Sequence, residues 1–265
     1  VVDAAWMQMQ QRYGVPAHLE GTDKGFAVIG YGKLGGYELG YGSDLDLVFL
    51  HNAPRGISTD GKKSIEAQQF YIKLAQRIMH LLNTKTLFGQ LYETDLRLRP
   101  SGNAGLLCCH IDGFEKYQTE EAWTWEHQAL VRARAICGAP RLLNDFTQVR
   151  SSILTRSRNA KTLADDVCKM RLKMREHLLS KENDKVDLKQ CVGGITDIEF
   201  MAQYLVLANA KSQAAMTEYP DNLRIFDAAA KSNIIDVATA HKLQKAYLKL
   251  REQYHHLTLA DTKYA

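Results

Sequence analysis

The chain has 265 residues, of which 45% are hydrophobic and 24% are charged, and its formal net charge is +4. This composition is ordinary for a soluble globular protein of one large or two modest domains. No apolar run approaches the roughly 18 residues of a membrane span, so no membrane association is expected. The charge is compatible with anionic ligands but too small to indicate nucleic-acid binding by itself.

The N-terminus and the cysteines bear on the cellular context. The first residues, VVDAAWMQMQQRYG, lack both the pattern of a signal peptide and an initiator Met. We therefore expect this chain to be a piece of a longer protein. Five cysteines, an odd number without a CxxC pair, predict reduced thiols and a cytoplasmic location.

In chain order, the first half mixes short apolar runs with glycines. FAVIGY and DLVFLH are typical of strands, and the alternating segment QLYETDLRLR predicts a further strand. The segment IEAQQFYIKLAQRIMHLLNT predicts an amphipathic helix with one apolar face, formed by Phe70, Leu74, Ile78 and Leu81. The remaining pattern predicts helices near 140–155, 160–180, 196–210, 221–231 and 236–257. The sequence thus predicts a mixed α/β domain at 1–150 and a helical domain at 151–265, truncated at its C-terminus.

A glycine-rich turn follows the first predicted strand. Gly30-Tyr31-Gly32-Lys33-Leu34-Gly35 matches GxGxxG, the pattern of dinucleotide-binding proteins. In those proteins a full crossover helix follows the glycines, and an acidic residue comes about 20 residues later, after the second strand. Here only GYELGYGS separates the turn from Asp44, which is too short for a parallel crossover. The context therefore disfavours dinucleotide binding.

Two carboxylates, Asp44 and Asp46, open the second predicted strand. Alternate residues of a strand face the same side, so both carboxylates project together while Leu45 and Leu47 face the core. Carboxylates held this close repel each other unless a divalent cation lies between them, and Mg²⁺ shares its ligand shell with substrate phosphates. The glycines would let the backbone approach a triphosphate. The pattern resembles the nucleotidyltransferase fold shared with DNA polymerase β.

The segment YETDLRLRP supplies the best third carboxylate. If it is a strand, Glu93, Asp95, Arg97 and Arg99 share one face. Asp95 would complete the metal site, and the two arginines would bind phosphate. Glu93 is a less favoured ligand. A solvated edge strand with ion pairs is the structural alternative.

Four segments together resemble the bacterial glutamine synthetase adenylyltransferase family: GYGKLGGYELGYGSDLDLVFLH, YETDLRLRPSGNAGLL, EAWTWEHQALVRAR and GGITDIEFMAQYLVL. The resemblance covers about residues 28–256. It implies an α+β fold, with a polymerase β-like mixed sheet flanked by helices, followed by an all-α helical bundle. LRLRPSGNAGLL and WEHQALVRAR look more like the family's adenylylating module, in which Ser101 replaces the Phe usual in the deadenylylating module.

The resemblance also implies a mechanism and partners. Two Mg²⁺ ions on Asp44, Asp46 and Asp95 would orient ATP, and a tyrosine hydroxyl of glutamine synthetase would attack the α-phosphorus and release pyrophosphate. The family's phosphate-contacting turn maps onto Gly32, Lys33, Gly35, Gly36 and Ser43. PII-type signal proteins would act through the full-length enzyme, and no nucleic-acid partner is expected. The alternatives are phosphorolytic deadenylylation, a nucleotidyltransferase with another acceptor, and a docking module with a degenerate metal site.

Two further segments have structural alternatives. Thr196 and Glu199 match a capping box that would start the helix near 196. In EAWTWEHQALVRAR, Arg132 and Arg134 are candidates to contact a nucleotide or a partner. Alternatively, Trp123 and Trp125 are packing anchors and the arginines are solvated.

Overall fold

The structure, a computed structural model, describes residues 1–85, 87, 89, 92–178 and 186–260. In chain order its elements are α1 (Val2–Tyr13), β1 (Phe26–Gly30), α2 (Gly32–Gly35), β2 (Leu45–His51), α3 (Ala67–Leu82), β3 (Thr94–Asp95), β4 (Cys108–His110), α4 (Ile111–Glu120), α5 (Thr124–Val131), β5 (Arg134–Gly138), α6 (Pro140–Leu154), α7 (Ala160–Leu178), α8 (Ile195–Asn209), α9 (Asn222–Lys231) and α10 (Val237–Leu259). Two 3₁₀ turns lie at Gly102–Ala104 and Ala214–Thr217. Within these ranges no helix combines the length and apolarity needed to cross a membrane.

Two compact units make up the chain. The first contains Val1–Gly35, Ser43–Ala122 and Ala133–Val149, and the second contains Gly36–Gly42, Trp123–Arg132 and Arg150–Ala265. Two short segments of the first half therefore belong to the second unit. The predicted domain ranges, 1–150 and 151–265, stay a prediction.

A mixed sheet organises the first unit. Its strand order is β3-β2-β1-β5, and β4 also pairs with β2. β1 runs antiparallel to β2 and β5, whereas β3 and β4 run parallel to β2. Every residue of β1 is buried, and α3 contributes Phe70, Leu74 and Ile78 to the core, as its apolar spacing predicts. Leu81, the fourth residue of the predicted face, is only partly buried.

The second unit is helical in its described residues. α8 contacts α5, α7, α9 and α10, so it is the central helix of the unit. Its buried face, including Ile198, Ala202 and Val206, has the spacing of a helix stripe. The helices predicted from 140 onward are confirmed within two residues at the boundaries that the structure describes. The predicted helix end at 180 lies outside the described residues.

Two local predictions are wrong. QLYETDLRLR does not form one strand: the strand is limited to Thr94–Asp95, and the chain then turns, with the Arg99 N–H donating to the Leu96 carbonyl and Ser101 left-handed at φ 59. Gln90 and Leu91 lie outside the described residues. The predicted capping box is also absent, because the N-cap of α8 is Gly194 and not Thr196, so the helix starts two residues earlier than that box requires.

Candidate active site

The glycine turn and the predicted metal ligands meet at one end of the sheet. β1 ends at Gly30, which lies opposite Leu47 in the antiparallel pair with β2. The Tyr31 N–H donates to the Asp46 carbonyl over 2.9 Å, which joins the turn to the start of β2. A dinucleotide-binding unit requires these two strands to be parallel. The antiparallel pairing therefore excludes that interpretation of GxGxxG.

Gly32 opens α2 and lies directly against the carboxylate of Asp46. Its φ of +56° is in the left-handed region, which favours glycine. A Cβ at this position would collide with Asp46 Oδ2. The missing side chain thus lets the turn approach the carboxylate closely.

Asp46 and Asp95 are partners across two parallel strands. The β2–β3 register places Leu45 opposite Thr94 and Asp46 opposite Asp95. Neighbouring strands lie about 4.8 Å apart, and side chains at paired positions face the same side of the sheet. Asp46 is half-buried and Asp44 is exposed, whereas Leu45 and Leu47 are buried, as the alternation predicts. The predicted third carboxylate is therefore the strand neighbour of the second.

Arg97 lies two residues after Asp95 and binds its carboxylate. Its backbone N–H donates to Asp95 Oδ1 over 2.8 Å, and its Nε and Nη2 donate to Oδ2 over 2.7 and 2.5 Å. These bonds lower the pKa of Asp95. Asp95, Asp46 and Asp44 together raise the pKa of Arg97. One guanidinium thus interacts electrostatically with all three predicted ligands.

The donor chemistry fits a hard divalent cation, but the carboxylates are not arranged as a closed cage. Carboxylate oxygens are the ligands that Mg²⁺ prefers. Nevertheless, in the parts of the chain that the structure describes, no group of three His, Cys, Asp or Glu side chains could hold a metal ion. Asp95 turns its oxygens to Arg97 instead. Metal binding by Asp44, Asp46 and Asp95 stays a prediction, and the cation would compete with Arg97 for the oxygens of Asp95.

Arg99 does not share a strand face with Arg97, because both follow the end of β3. Its guanidinium donates to three carbonyls of its own turn, those of Leu96 at 2.8 Å, Asn103 at 3.2 Å and Gly105 at 3.3 Å. These bonds hold the turn after β3 in shape. The predicted contact of Arg99 with phosphate stays a prediction.

Arg134 supports the glycine turn from the neighbouring strand. It lies opposite Gly30 on β5, and its guanidinium donates to the carbonyls of Gly35 at 3.0 Å and Leu34 at 3.1 Å. These carbonyls end α2, where a cation is favourable. Arg134 is therefore not a solvated side chain. The tryptophan pair that precedes it in the sequence did not indicate that it holds the glycine turn.

The other predicted phosphate contacts are distributed along the same turn. Lys33 and Gly35 belong to α2, and Ser43, which is buried, directly precedes Asp44. Gly36 is the first residue of the segment assigned to the second unit.

Of the two tryptophans considered as packing anchors, Trp123 is 71% exposed and Trp125 is 37% exposed, so that interpretation is wrong.

The mixed sheet flanked by helices, with a glycine turn and paired carboxylates at one sheet end, is consistent with an α+β fold of the nucleotidyltransferase class. Residues 1–149 match the family model described as glutamate-ammonia ligase adenylyltransferase. The chain therefore belongs to the glutamate-ammonia ligase adenylyltransferase family. Residues 168–264 match a second model, described as GlnD PII-uridylyltransferase.

A curated relative supports this assignment over the full chain. The bifunctional glutamine synthetase adenylyltransferase/adenylyl-removing enzyme of Alteromonas mediterranea is 88% identical over 265 residues. All of the present chain is covered, but it spans only 27% of that relative's length.

Proposed function

We propose that this chain carries a nucleotidyl-transfer site that attaches AMP from ATP to a tyrosine of glutamine synthetase. The observation that carries the proposal is the in-register pairing of Asp46 with Asp95 beside the glycine turn. The name of the 88%-identical relative supports the choice of acceptor protein. The location proposed for this activity is the cytoplasm.

The residues of the chain would act mainly by holding and orienting the nucleotide. Backbone N–H groups of the glycine turn can donate to phosphate oxygens, and Lys33 and Arg97 can neutralise their charge. Asp44, Asp46 and Asp95 would hold two Mg²⁺ ions, which supply charge neutralisation and a lowered pKa of a bound hydroxyl. No side chain of this chain is required as a strong base. The tyrosine of the acceptor would attack in line with the departing pyrophosphate.

Deadenylylation by phosphorolysis is the second candidate, because the relative's name includes adenylyl removal. The preference for attachment depends on Ser101, which is left-handed at φ 59 in the turn after Pro100. PII-type signal proteins are proposed as regulators of the whole enzyme. A third candidate is a nucleotidyltransferase that uses an acceptor other than glutamine synthetase.

A labelling experiment tests the function. The full chain is incubated with α-labelled ATP, Mg²⁺ and unmodified glutamine synthetase, and the acceptor is analysed by mass spectrometry. We expect AMP on a tyrosine, lost when Mg²⁺ is chelated. A parallel reaction contains pre-modified glutamine synthetase and inorganic phosphate. Release of ADP there, without AMP transfer in the first reaction, would assign the chain to deadenylylation. Mg²⁺-dependent release of pyrophosphate with the AMP transferred to water or to the chain itself, and without either product, would point to another acceptor.

A further inference from the structure

The segment between the glycine turn and Asp44 has no helix or strand of its own. We call Gly36–Gly42 the connecting segment. One end continues covalently into Gly35 of the glycine turn, and the other into Ser43 and Asp44. A chain segment without backbone ladders must be held by side chains if it is to be fixed. The connecting segment is fixed by side-chain contacts with other residues of the second unit.

Glu38 is the buried anchor of the connecting segment. Its side chain is 6% exposed, and it forms an ion pair with Arg132, whose side chain is 4% exposed. The Tyr247 hydroxyl lies 2.6 Å from Glu38 Oε2, and Asn222 Nδ2 donates to that hydroxyl over 2.8 Å. Residues from α9 and α10, together with Arg132 at the end of α5, therefore converge on one carboxylate.

Arg132 joins Glu38 to a second carboxylate, Glu199 on α8. The Arg132 Nη1 donates to Glu199 Oε1 over 2.5 Å. Burial alone would lower the pKa of Arg132, but Glu199 and Glu38 raise it above its ordinary value. Burial likewise disfavours the charged form of Glu199, but Arg132 lowers its pKa. Arg251 lies 3.8 Å from Glu38, so two cations balance two carboxylates.

The backbone of the connecting segment is held as well. Arg251 Nη2 donates to the carbonyl of Glu38 over 2.7 Å. At Gly40 a Cβ would collide with the ring of His255, so the segment lies directly on α10. Tyr37 adopts a left-handed φ of 57°, which a non-glycine residue keeps only where the surroundings hold it.

We infer that Glu38 is a positioning residue for the nucleotidyl-transfer site, and that Arg251 assists it through the Glu38 carbonyl. The inference rests on the proposed function of the glycine turn and Asp44. Fixing the connecting segment fixes both of its covalent neighbours: the turn that would approach the phosphates and the aspartate that would bind the cation. A buried carboxylate is a strong anchor because removing one member of a buried ion pair leaves the other charge uncompensated.

Glu199 provides the matched control. Glu38→Gln and Glu199→Gln each remove one carboxylate from Arg132, but Glu199 belongs to α8 and not to the connecting segment. Both variants are made in the full chain. Amide hydrogen exchange is followed at 32–35, 36–42 and 43–46 without nucleotide, and KM for ATP and kcat are measured for AMP transfer. Arg251→Met removes the donor to the Glu38 carbonyl and the second cation near the Glu38 carboxylate, but leaves the Glu38–Arg132 pair, and it is used if Glu38→Gln does not fold.

We expect Glu38→Gln to accelerate exchange about tenfold or more in the connecting segment and in both flanking stretches. We also expect a higher KM for ATP and a lower kcat. Glu199→Gln should leave these values within about twofold at a comparable loss of global stability. Arg251→Met should change the same amides as Glu38→Gln, by a smaller factor.

Equal effects of the two glutamine variants would overturn the inference, since the network would then stabilise only the helical unit. Faster exchange confined to 36–42, with 32–35 and 43–46 unchanged, would also overturn it. Failure of the proposed function gives a different result, because the unmutated chain would then transfer no AMP. The amide exchange rates of Glu38→Gln and Glu199→Gln could still be compared, and they would still show whether Glu38 fixes the flanking stretches.

Discussion

The carboxylate of Asp46 occupies the space in which a side chain at Gly32 would begin. The contact joins the start of α2 to the second residue of β2. The glycine is needed here for two reasons, a positive φ and a close approach, and these can be separated by experiment.

Gly32→Ala should destabilise the protein more than Gly21→Ala. Gly21 has nearly the same φ, +59°, but nothing within 4 Å of its Cβ position, so it reports the backbone strain alone. That strain costs about 1 kcal/mol. We expect Gly32→Ala to lose at least about 1 kcal/mol more in urea unfolding, because Asp46 must also move. AMP transfer should fall in Gly32→Ala and persist in Gly21→Ala. Equal losses of stability would show that the carboxylate moves aside freely.

Asp46→Asn should strongly reduce catalysis without unfolding the chain. Loss of one carboxylate ligand is expected to lower kcat by about 10²-fold or more. The free energy of unfolding should change little, because the substitution removes repulsion from Asp44 and Asp95 together with attraction to Arg97. The checks are AMP transfer and thermal unfolding.

Glu93→Gln is the matched control for Asp46→Asn. It removes the same charge from an exposed side chain next to β3, while its backbone carbonyl still accepts from the Leu45 N–H at 2.8 Å. This variant should keep near-normal activity. Unfolding of Asp46→Asn would show a structural aspartate, and equal activity losses would show a general charge effect.

Local sequence patterns predicted the elements well because each depends on neighbouring residues. The spacing of Phe70, Leu74 and Ile78 predicted α3, and the apolar run after Asp44 predicted β2. The position of Asp44 and Asp46 at the start of that strand followed from the same pattern.

Side-chain partners distant in sequence were not predictable in this way. Glu38 and Arg132 are 94 residues apart, and Arg132 and Glu199 are 67 apart. Glu199 shows the consequence: its spacing from Thr196 matches a capping box, yet its carboxylate pairs with Arg132. The alternation after Asp95 was misleading too, because a turn held by Arg99 replaces the expected strand.

Arg97→Gln should strengthen binding of the metal alone and weaken binding of ATP. Arg97 holds the carboxylate of Asp95, so its removal frees oxygens and removes a competing cation. The Arg97 side chain is 74% exposed, so the pair is worth at most about 1 kcal/mol, or roughly fivefold in Mn²⁺ affinity. Calorimetric titration with Mn²⁺ measures the first effect, and KM for ATP measures the second.

Arg97→Lys separates charge from geometry. Lysine keeps the cation but not the planar fork that contacts Asp95 through two nitrogens. We expect Mn²⁺ affinity close to that of the unmutated chain and an intermediate KM for ATP. Weaker Mn²⁺ binding by Arg97→Gln would mean that Asp95 is not a metal ligand or that Arg97 organises the site.

His51 at the end of β2 should make folding stability depend on pH. Burial, with the nearby charges of His110 and His18, lowers its pKa to about 3. Its Nδ1 accepts from the Ala53 N–H over 3.2 Å, and its ring stacks on Tyr71 at 4.9 Å. In the unfolded chain a histidine has a pKa of about 6.5. Between pH 6.5 and about 3 the unfolded state therefore binds more protons, and acidification destabilises the fold by up to about 1.4 kcal/mol per pH unit.

His51→Asn tests this assignment, because Asn can still accept from the Ala53 N–H but does not titrate. At pH 7.5 the variant should be less stable than the unmutated chain, because it loses a buried ring. From pH 7.5 to pH 5, however, its free energy of unfolding in urea should fall by about 1–2 kcal/mol less. His80→Asn, an exposed substitution on α3, should leave the pH slope unchanged. Parallel pH slopes for His51→Asn and the unmutated chain would assign the acid sensitivity to other groups.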